Sequence, residues 1–442
     1  MVISLYHNNS FERVEIRLKL HPKFHYIHLR PAKLHSLQLQ PHPLLERRHT
    51  LEQNLPARAQ HAMPRKFPAS RMKRPRHLPR IPRFARRACH IPIRCHLAAR
   101  DAPHHGAKSR EHVFSLHSSG HPCHDSIEIP MINWLVIGIG DITTKRVIPA
   151  IQAEPRSRLA GILTRNPEKG SDYPEARIWT SLDDALSAPE INVVYVASPV
   201  FLHAPQTIAA LRSGKDVLCE KPMALDMELA KTMTAAARET GRTLGIAYYR
   251  RTYPKIQRAK ALIEQGVIGR PVQAYLSAHD WFNDEAKNRS WILDPTMSGG
   301  GPLYDIASHR IDLLNFFFGT PSSATGFLSN VVHERPVEDN ATVLIDYPSG
   351  VRGIVDVRWH SRIVRDEFRI IGTDGEMSLT PLNGPDLTYP GGSEQIPRHA
   401  NLHYPCVENF VHAVFDGEPL LATGESSIMT DWVTEQVVRY HR

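Results

Sequence analysis

The sequence predicts an α/β protein: a doubly wound parallel sheet, then a second α/β domain with a large, open, mostly antiparallel sheet. Three observations predict it. From residue 132, short apolar runs alternate with helix-like segments through tight turns, the mark of strand–helix repetition. One of these runs leads straight into Gly138-Ile139-Gly140 and a helix. Beyond about residue 250 come longer β-type runs, with Ser349-Gly350 and Asp374-Gly375 at the joins as hairpin turns require.

The elements follow in order. Ile132–Ile139 is an apolar run apart from Asn133, as expected for a strand buried on both faces. Thr143 to Ala153 reads as a helix with Pro149 as a local irregularity. Residues 159–163 and 191–197 are the next strands. A helix from about Ala204 stops at Gly214. Residues 216–219 form a short strand that ends in Glu220-Lys221-Pro222. Asp226 is placed to cap a helix running to Thr240, stopped by Gly241. Residues 243–247 close a first domain spanning 131–250. The second, 251–442, opens with a helix over 254–265, a strand near 272–278, a glycine-rich loop and a helix from about Pro302 to Phe318. Strand-like runs follow at 341–347, 351–359, 367–371 and 376–379, then helices near 406–415 and 427–441. Strands and helices segregated in this way leave one sheet face for helices and the other free for a partner.

The formal charge of +9 is unevenly spread. Residues 1–130 carry a net +15, 17 of the 26 His and 14 of the 35 Pro, so residues 131–442 are mildly acidic at −6. Stretches such as Arg71-Met72-Lys73-Arg74-Pro75 show no helical or strand period, and the extension reads as disordered. It could be a basic arm on nucleic acid or a targeting segment, although no charged start with an apolar core is present. The favoured reading is that residues 1–130 are not a functional part and that the native start is Met131, one residue before the first strand; nucleic acid is not an expected partner. Cys89-His90 and Cys95-His96 lack zinc-finger spacing. Cys219 and Cys406 stand far apart, which suggests reduced thiols and a cytoplasmic protein. No run of 18 apolar residues is present, so no membrane span is expected.

The turn Gly138-Ile139-Gly140-Asp141-Ile142 follows a strand and opens a helix. Gly138 permits the sharp turn and Gly140 the close approach of a pyrophosphate, which a helix N-terminus attracts. Thr143 replaces the third glycine of the usual fingerprint. At the end of the second strand, Thr164-Arg165 stands where an NAD enzyme places a carboxylate. A guanidinium there pairs with a 2′-phosphate, so NADP is favoured over NAD. Ser198-Pro199 closes the next strand on the nicotinamide side, and His203 after it reads more as a helix cap than as chemistry.

Lys221 lies at the carboxyl end of a parallel strand, the edge where such sheets bind ligands. Pro222 restricts its backbone and is able to adopt a cis bond. Asp305, His309 and Asp312 fall at i, i+4 and i+7 on one helix face, after Gly299-Gly300-Gly301. A hydrogen-bonded structural histidine or a metal site would use the same pattern, but no third and fourth ligand stands out, and no metal is expected.

Taken together, Gly138-x-Gly140, Glu220-Lys221-Pro222 and Gly299-Gly300-Gly301…Asp305…His309…Asp312 resemble the glucose–fructose oxidoreductase / inositol dehydrogenase / rhizopine catabolism (Gfo/Idh/MocA) family. The resemblance runs from about Met131 to near the C-terminus and takes in Glu338-Asp339-Asn340 and Gly372-Thr373-Asp374-Gly375, but not the extension. It implies a Rossmann domain, a C-terminal domain with an open sheet, and NAD(P)-dependent oxidation or reduction of sugars, cyclitols or polyols. It also implies Lys221, Asp305 and His309 as the catalytic positions, and a homodimer or homotetramer through the sheet face. Glu220 joins the cofactor group with Gly138, Ile139, Gly140, Asp141, Ile142, Thr164, Arg165, Ser198, Pro199, His203 and Lys221. Tyr249, Arg250, Trp281, Arg289 and Trp291 are candidate substrate contacts, since aromatics with hydrogen-bonding cations suit polyols; core packing accounts equally well for the tryptophans. The alternatives are a glycosidase that keeps NAD bound, a non-catalytic dinucleotide-binding regulator, and a nucleic-acid binder acting through the extension.

Overall fold

The computed structural model describes residues 2–7, 14–20, 23–28, 131–283 and 287–441. It divides into two units, residues 1–125 and 126–442. In the first, β1 (Val2–His7), β2 (Val14–Leu20) and β3 (Lys23–His28) form an antiparallel sheet in the order β1-β2-β3. The expectation of an extension without regular structure fails over these strands. Val14-Glu15-Ile16-Arg17-Leu18-Lys19-Leu20 alternates with period two, a strand signal. The rest of the extension, with Cys89, Cys95 and Cys123, lies outside the described residues.

The second unit opens with six parallel strands: β4 (Ile132–Ile137), β5 (Ser157–Leu163), β6 (Arg177–Trp179), β7 (Val193–Val196), β8 (Asp216–Cys219) and β9 (Leu244–Ile246). Their order, β6-β5-β4-β7-β8-β9, reverses direction between β4 and β7. That is the topological switch point, where ligands bind in such sheets. All four residues of β7 are buried, as an interior parallel strand demands. The helix after β4 covers 141–153 and widens to a π-type turn over Thr143–Val147. Pro149 has no N–H to give, and the Ile148 N–H reaches back five residues to Thr143 O. The helix Met227–Thr240 starts where Asp226 Oδ1 accepts the Leu229 N–H at 2.8 Å, and ends at Gly241 with φ +64°.

The second sheet has eight strands: β10 (Pro271–Trp281), β11 (Ser323–Ser329), β12 (Asn340–Asp346), β13 (Arg352–Arg358), β14 (His360–Gly372), β15 (Glu376–Ser378), β16 (Asp386–Tyr389) and β17 (Gly392–Gln395). The order is β11-β12-β13-β10-β14-β15-β16-β17, and only the β10–β13 pair is parallel. On β12 and β13 buried residues alternate with partly exposed ones, so one face is core and the other is open. Phe327, Ile363 and Val364 are each more than 70% exposed. The helices Ser308–Phe318 and Gly424–His441 pack against this domain and each other. Arg251 ties the helix Ser308–Phe318 to the start of the last helix: Nε and Nη2 donate to Asp312, and Nη1 donates to Leu421 O and Ser426 Oγ. Cys219 and Cys406 are buried free thiols. Among the described residues no helix is long and apolar enough to cross a membrane.

Candidate active site

The first half of the site is backbone. Gly138 ends β4 with φ +94°, and a Cβ there would sit 2.9 Å from Ala197 O, at the end of β7. Only glycine fits between the two strand ends. A Cβ on Gly140 would meet open space, so this turn is free to receive a phosphate group. The buried Thr143 stands in for the third glycine by stitching the turn: its Oγ1 accepts the Gly140 N–H and donates to Gly140 O, both at 2.8 Å. With the helix N-terminus behind it, this cradle fits a pyrophosphate. Ile139 and Ile142 pack partly buried on the core, and Asp141 pairs with Lys145 at 2.8 Å. At the end of β5, Thr164 Oγ1 accepts the Asn166 N–H, and Arg165 is exposed beside it.

Ser198 Oγ donates to Gln206 at 2.6 Å, and Pro199 leads into the next helical turn. His203 differs from its expected place. It is buried, with Nδ1 2.9 Å from Pro222 O and Nε2 2.9 Å from Ser198 O. Each ring nitrogen lies against a carbonyl and the one N–H of the neutral ring donates to one of them, so His203 bridges the Ser198 loop and the Lys221-Pro222 loop instead of capping the helix. Burial lowers its pKa.

The second half is a cluster of side chains. Lys221 precedes a cis peptide bond to Pro222. Its Nζ donates to Asp305 O at 2.8 Å and to Asp305 Oδ1 at 2.9 Å. Asp305 thus fixes the lysine, where the sequence had suggested the substrate hydroxyl or the imidazole. His309 is buried against Tyr248 and Tyr249, with ring centres 5.9 and 4.9 Å away. Its Nδ1 has no hydrogen-bond partner among the described residues. Burial, then the charges of Arg250 and Lys221, hold its pKa well below the ordinary 6.5, so the ring is neutral at pH 7. Asp312, expected on the same face, is buried in an ion pair with Arg251. Burial raises its pKa, partly offset by Arg251.

Glu220 lies under this cluster. It accepts from Tyr195 Oη at 2.7 Å and from the Lys221 N–H at 3.2 Å, and lies 3.3 Å from His403 Nε2. Burial alone would raise its pKa; the His403 and Tyr195 contacts and the Lys221 charge outweigh it and lower the pKa. His403 in turn packs on Tyr249 at 4.5 Å. The glycine loop is held by Glu338, whose carboxylate accepts the Gly301 and Leu303 N–H groups, each at 2.9 Å. A Cβ at Gly301 would fall 2.1 Å from Glu338 O.

Of the candidate substrate contacts, Tyr249 and Arg250 are at the cluster. Trp281 instead packs with Arg362 and His333. Trp291 belongs to a small core with Phe282, Val337 and Trp359, which meets the site's helix through Ile306. Arg289 falls in the 3₁₀ segment Lys287–Leu293, and its side chain lies outside the described residues. Sequence reasoning missed His403 and gave Glu338 no role of its own. Glu338 alone had a signal, as part of Glu338-Asp339-Asn340.

Residues 132–248 match the model of an oxidoreductase family with an NAD-binding Rossmann fold, and residues 256–378 match the GFO/IDH/MocA C-terminal domain. The chain is 30% identical over 317 residues to a 1,5-anhydro-D-fructose reductase of Ensifer adhaerens, covering 67% of this chain and 92% of that protein. It is 32% identical over 249 residues to a levoglucosan dehydrogenase of Pseudarthrobacter phenanthrenivorans, covering 50% and 62%. Its fold is like that of an aldose-aldose oxidoreductase from Caulobacter crescentus, solved with glycerol: TM-score 0.64, 24% identity, 71% of this chain and 98% of that one.

Proposed function

The chain belongs to the Gfo/Idh/MocA family of NAD(P)-dependent oxidoreductases, and on that premise we propose that it moves hydride on and off a hydroxyl-bearing carbon of a sugar, cyclitol or related polyol. The observation that carries the proposal is the Lys221–Asp305 pair beside a buried, neutral His309, at the carboxyl edge of the parallel sheet.

A nicotinamide dinucleotide, when bound, supplies or accepts the hydride. Gly138, Gly140 and the N-terminus of the helix over 141–153 would hold its pyrophosphate, with Ser198 and Pro199 towards the nicotinamide. In oxidation, His309 takes the proton from the substrate hydroxyl. The Lys221 ammonium stabilises the negative charge that develops on that oxygen. Asp305 holds Lys221 in place, and Glu220 fixes the strand end through the Lys221 N–H. In reduction, His309 returns the proton to the same oxygen. Tyr249 packs its ring against His309 and holds it in place.

NADP is the preferred cofactor in this reading, supported by Arg165 and by the lack of a carboxylate at Thr164-Arg165-Asn166. The exposed Phe327 and Ile363 support a homodimer or homotetramer through the open sheet face. Reduced-nicotinamide absorbance, followed with NAD and NADP over a panel of sugars, sugar acids and cyclitols, tests the reading. Turnover with NADP is expected, and Arg165→Ala should weaken NADPH binding more than NADH binding. No redox turnover with either cofactor across the panel would overturn it.

A further inference from the structure

Two buried guanidiniums, Arg250 and Arg310, lie near His309. The Arg250 guanidinium carbon lies 5.0 Å from the centre of the Tyr249 ring, and His309 packs on that same ring. Arg250 is 8% exposed and Arg310 3%. Arg250 Nη2 donates to Asn383 Oδ1 at a long 3.3 Å, while Nε and Nη1 are buried with no partner among the described residues. Arg310 gives Nη1 to Ile306 O and Nη2 to Asp366 Oδ1, and its Nε is also buried and unpartnered. Asp366 is the carboxylate beside both. Its Oδ1 takes Arg310, and its Oδ2 takes the backbone and side-chain amides of Asn383, which leaves Asn383 Oδ1 for Arg250. Lys221 is already matched by Asp305.

Arg250 therefore faces only a neutral amide oxygen. A guanidinium stays charged at any accessible pH, and buried charges are retained where they are paired. The missing partner is not the cofactor's pyrophosphate, which belongs at the β4 turn. Arg250 follows β9, three strand spacings away, about 14 Å.

We infer that the substrate carries a carboxylate, bound by Arg250 with Arg310 behind it, next to the hydroxyl that His309 deprotonates. The substrate class is then a sugar acid or similar polyhydroxy acid, not a neutral polyol. This rests on the redox reading above for the role of His309. A planar carboxylate matches the Nε–Nη2 edge of the guanidinium once the long Asn383 bond yields.

The test is calorimetric titration of the NADP-loaded protein with aldonic and uronic acids, each beside its neutral aldose and the aldose 6-phosphate. At least one acid should bind about tenfold or more tightly than its neutral counterpart. Arg250→Gln should weaken that acid about 30-fold and the neutral aldose less than about threefold, with Arg250→Lys recovering part of the loss. A panel in which no acid outbinds its neutral partner, or in which the phosphate binds best, overturns the inference. So does an equal loss for acid and aldose in Arg250→Gln. The wild-type comparison decides the matter even if the variant does not fold. Selective acid binding without hydride transfer would break the redox reading alone; hydride transfer confined to neutral polyols would break this inference alone.

Discussion

The two sheets of the second unit build the site by different means. The parallel sheet offers strand ends, where Gly138 and Ala197 approach so closely that backbone alone shapes the cradle. The mixed sheet and its helices offer side chains: Asp305 and His309 from one helix, Asp366 from β14, Asn383 from the loop beyond β15. A backbone site depends on a few residues of fixed type and tolerates variation around them. A side-chain site depends on partners brought together from distant parts of the chain. The difference teaches where each half is vulnerable.

The sharpest contrast is expected at the side-chain half. His309→Ala and Lys221→Ala should each lower kcat/KM by about 100- to 10,000-fold, while NADPH titration by protein fluorescence stays near wild type. Loss of cofactor binding in both would show that the two halves are one site. In the wild type, His309 must be neutral to accept a proton, and its pKa is lowered. The acid limb of kcat/KM in the oxidation direction should therefore fall below the ordinary 6.5; a limb above it would contradict the buried, neutral ring.

Arg251→Met tests the buried ion pair with Asp312. It leaves Asp312, itself 1% exposed, without its cation. Stability in urea should drop by about 3–5 kcal/mol, and a loss below about 1 kcal/mol would mean that Asp312 takes up a proton at little cost. At the backbone half, Gly138→Val should cost about 1–3 kcal/mol of stability through its positive φ and reduce dinucleotide binding. Gly140→Ala, facing open space, should leave stability unchanged and weaken only the cofactor. Equal destabilisation by the two would erase the distinction between turn and cradle. Smallest is the effect on the outer face: Phe327→Glu with Ile363→Glu should shift light-scattering mass towards the monomer with little change in melting temperature. An unchanged mass would remove that face from assembly.

Much of the parallel domain was legible in sequence because its signals are local. Asp226 and Gly241 bracket a helix by their own cap geometry, and β8 coincides with residues 216–219 as read. The less legible strands have local reasons too. β6 is only three residues long, and β11 carries Gly326 at its centre, where a Cβ would lie 2.4 Å from Thr342 O. Of the site, Gly138, Lys221, Asp305 and His309 stood out as motif residues. Trp281 and Trp291 carried the same kind of expectation, yet pack in clusters of their own.

By itself the sequence determined the order of the strands along the chain, the positions where only glycine serves, and the family of the chain. These rest on backbone sterics and on spacing within a few residues, which the chain carries wherever it folds. Only the tertiary structure decided that Glu220 would meet His403 across 183 residues, that Asp305 would hold Lys221 across 84, and that Arg250 would be left facing Asn383 across 133. Such pairings are set by how two sheets and their helices pack, and the worth of each charge depends on what burial leaves beside it.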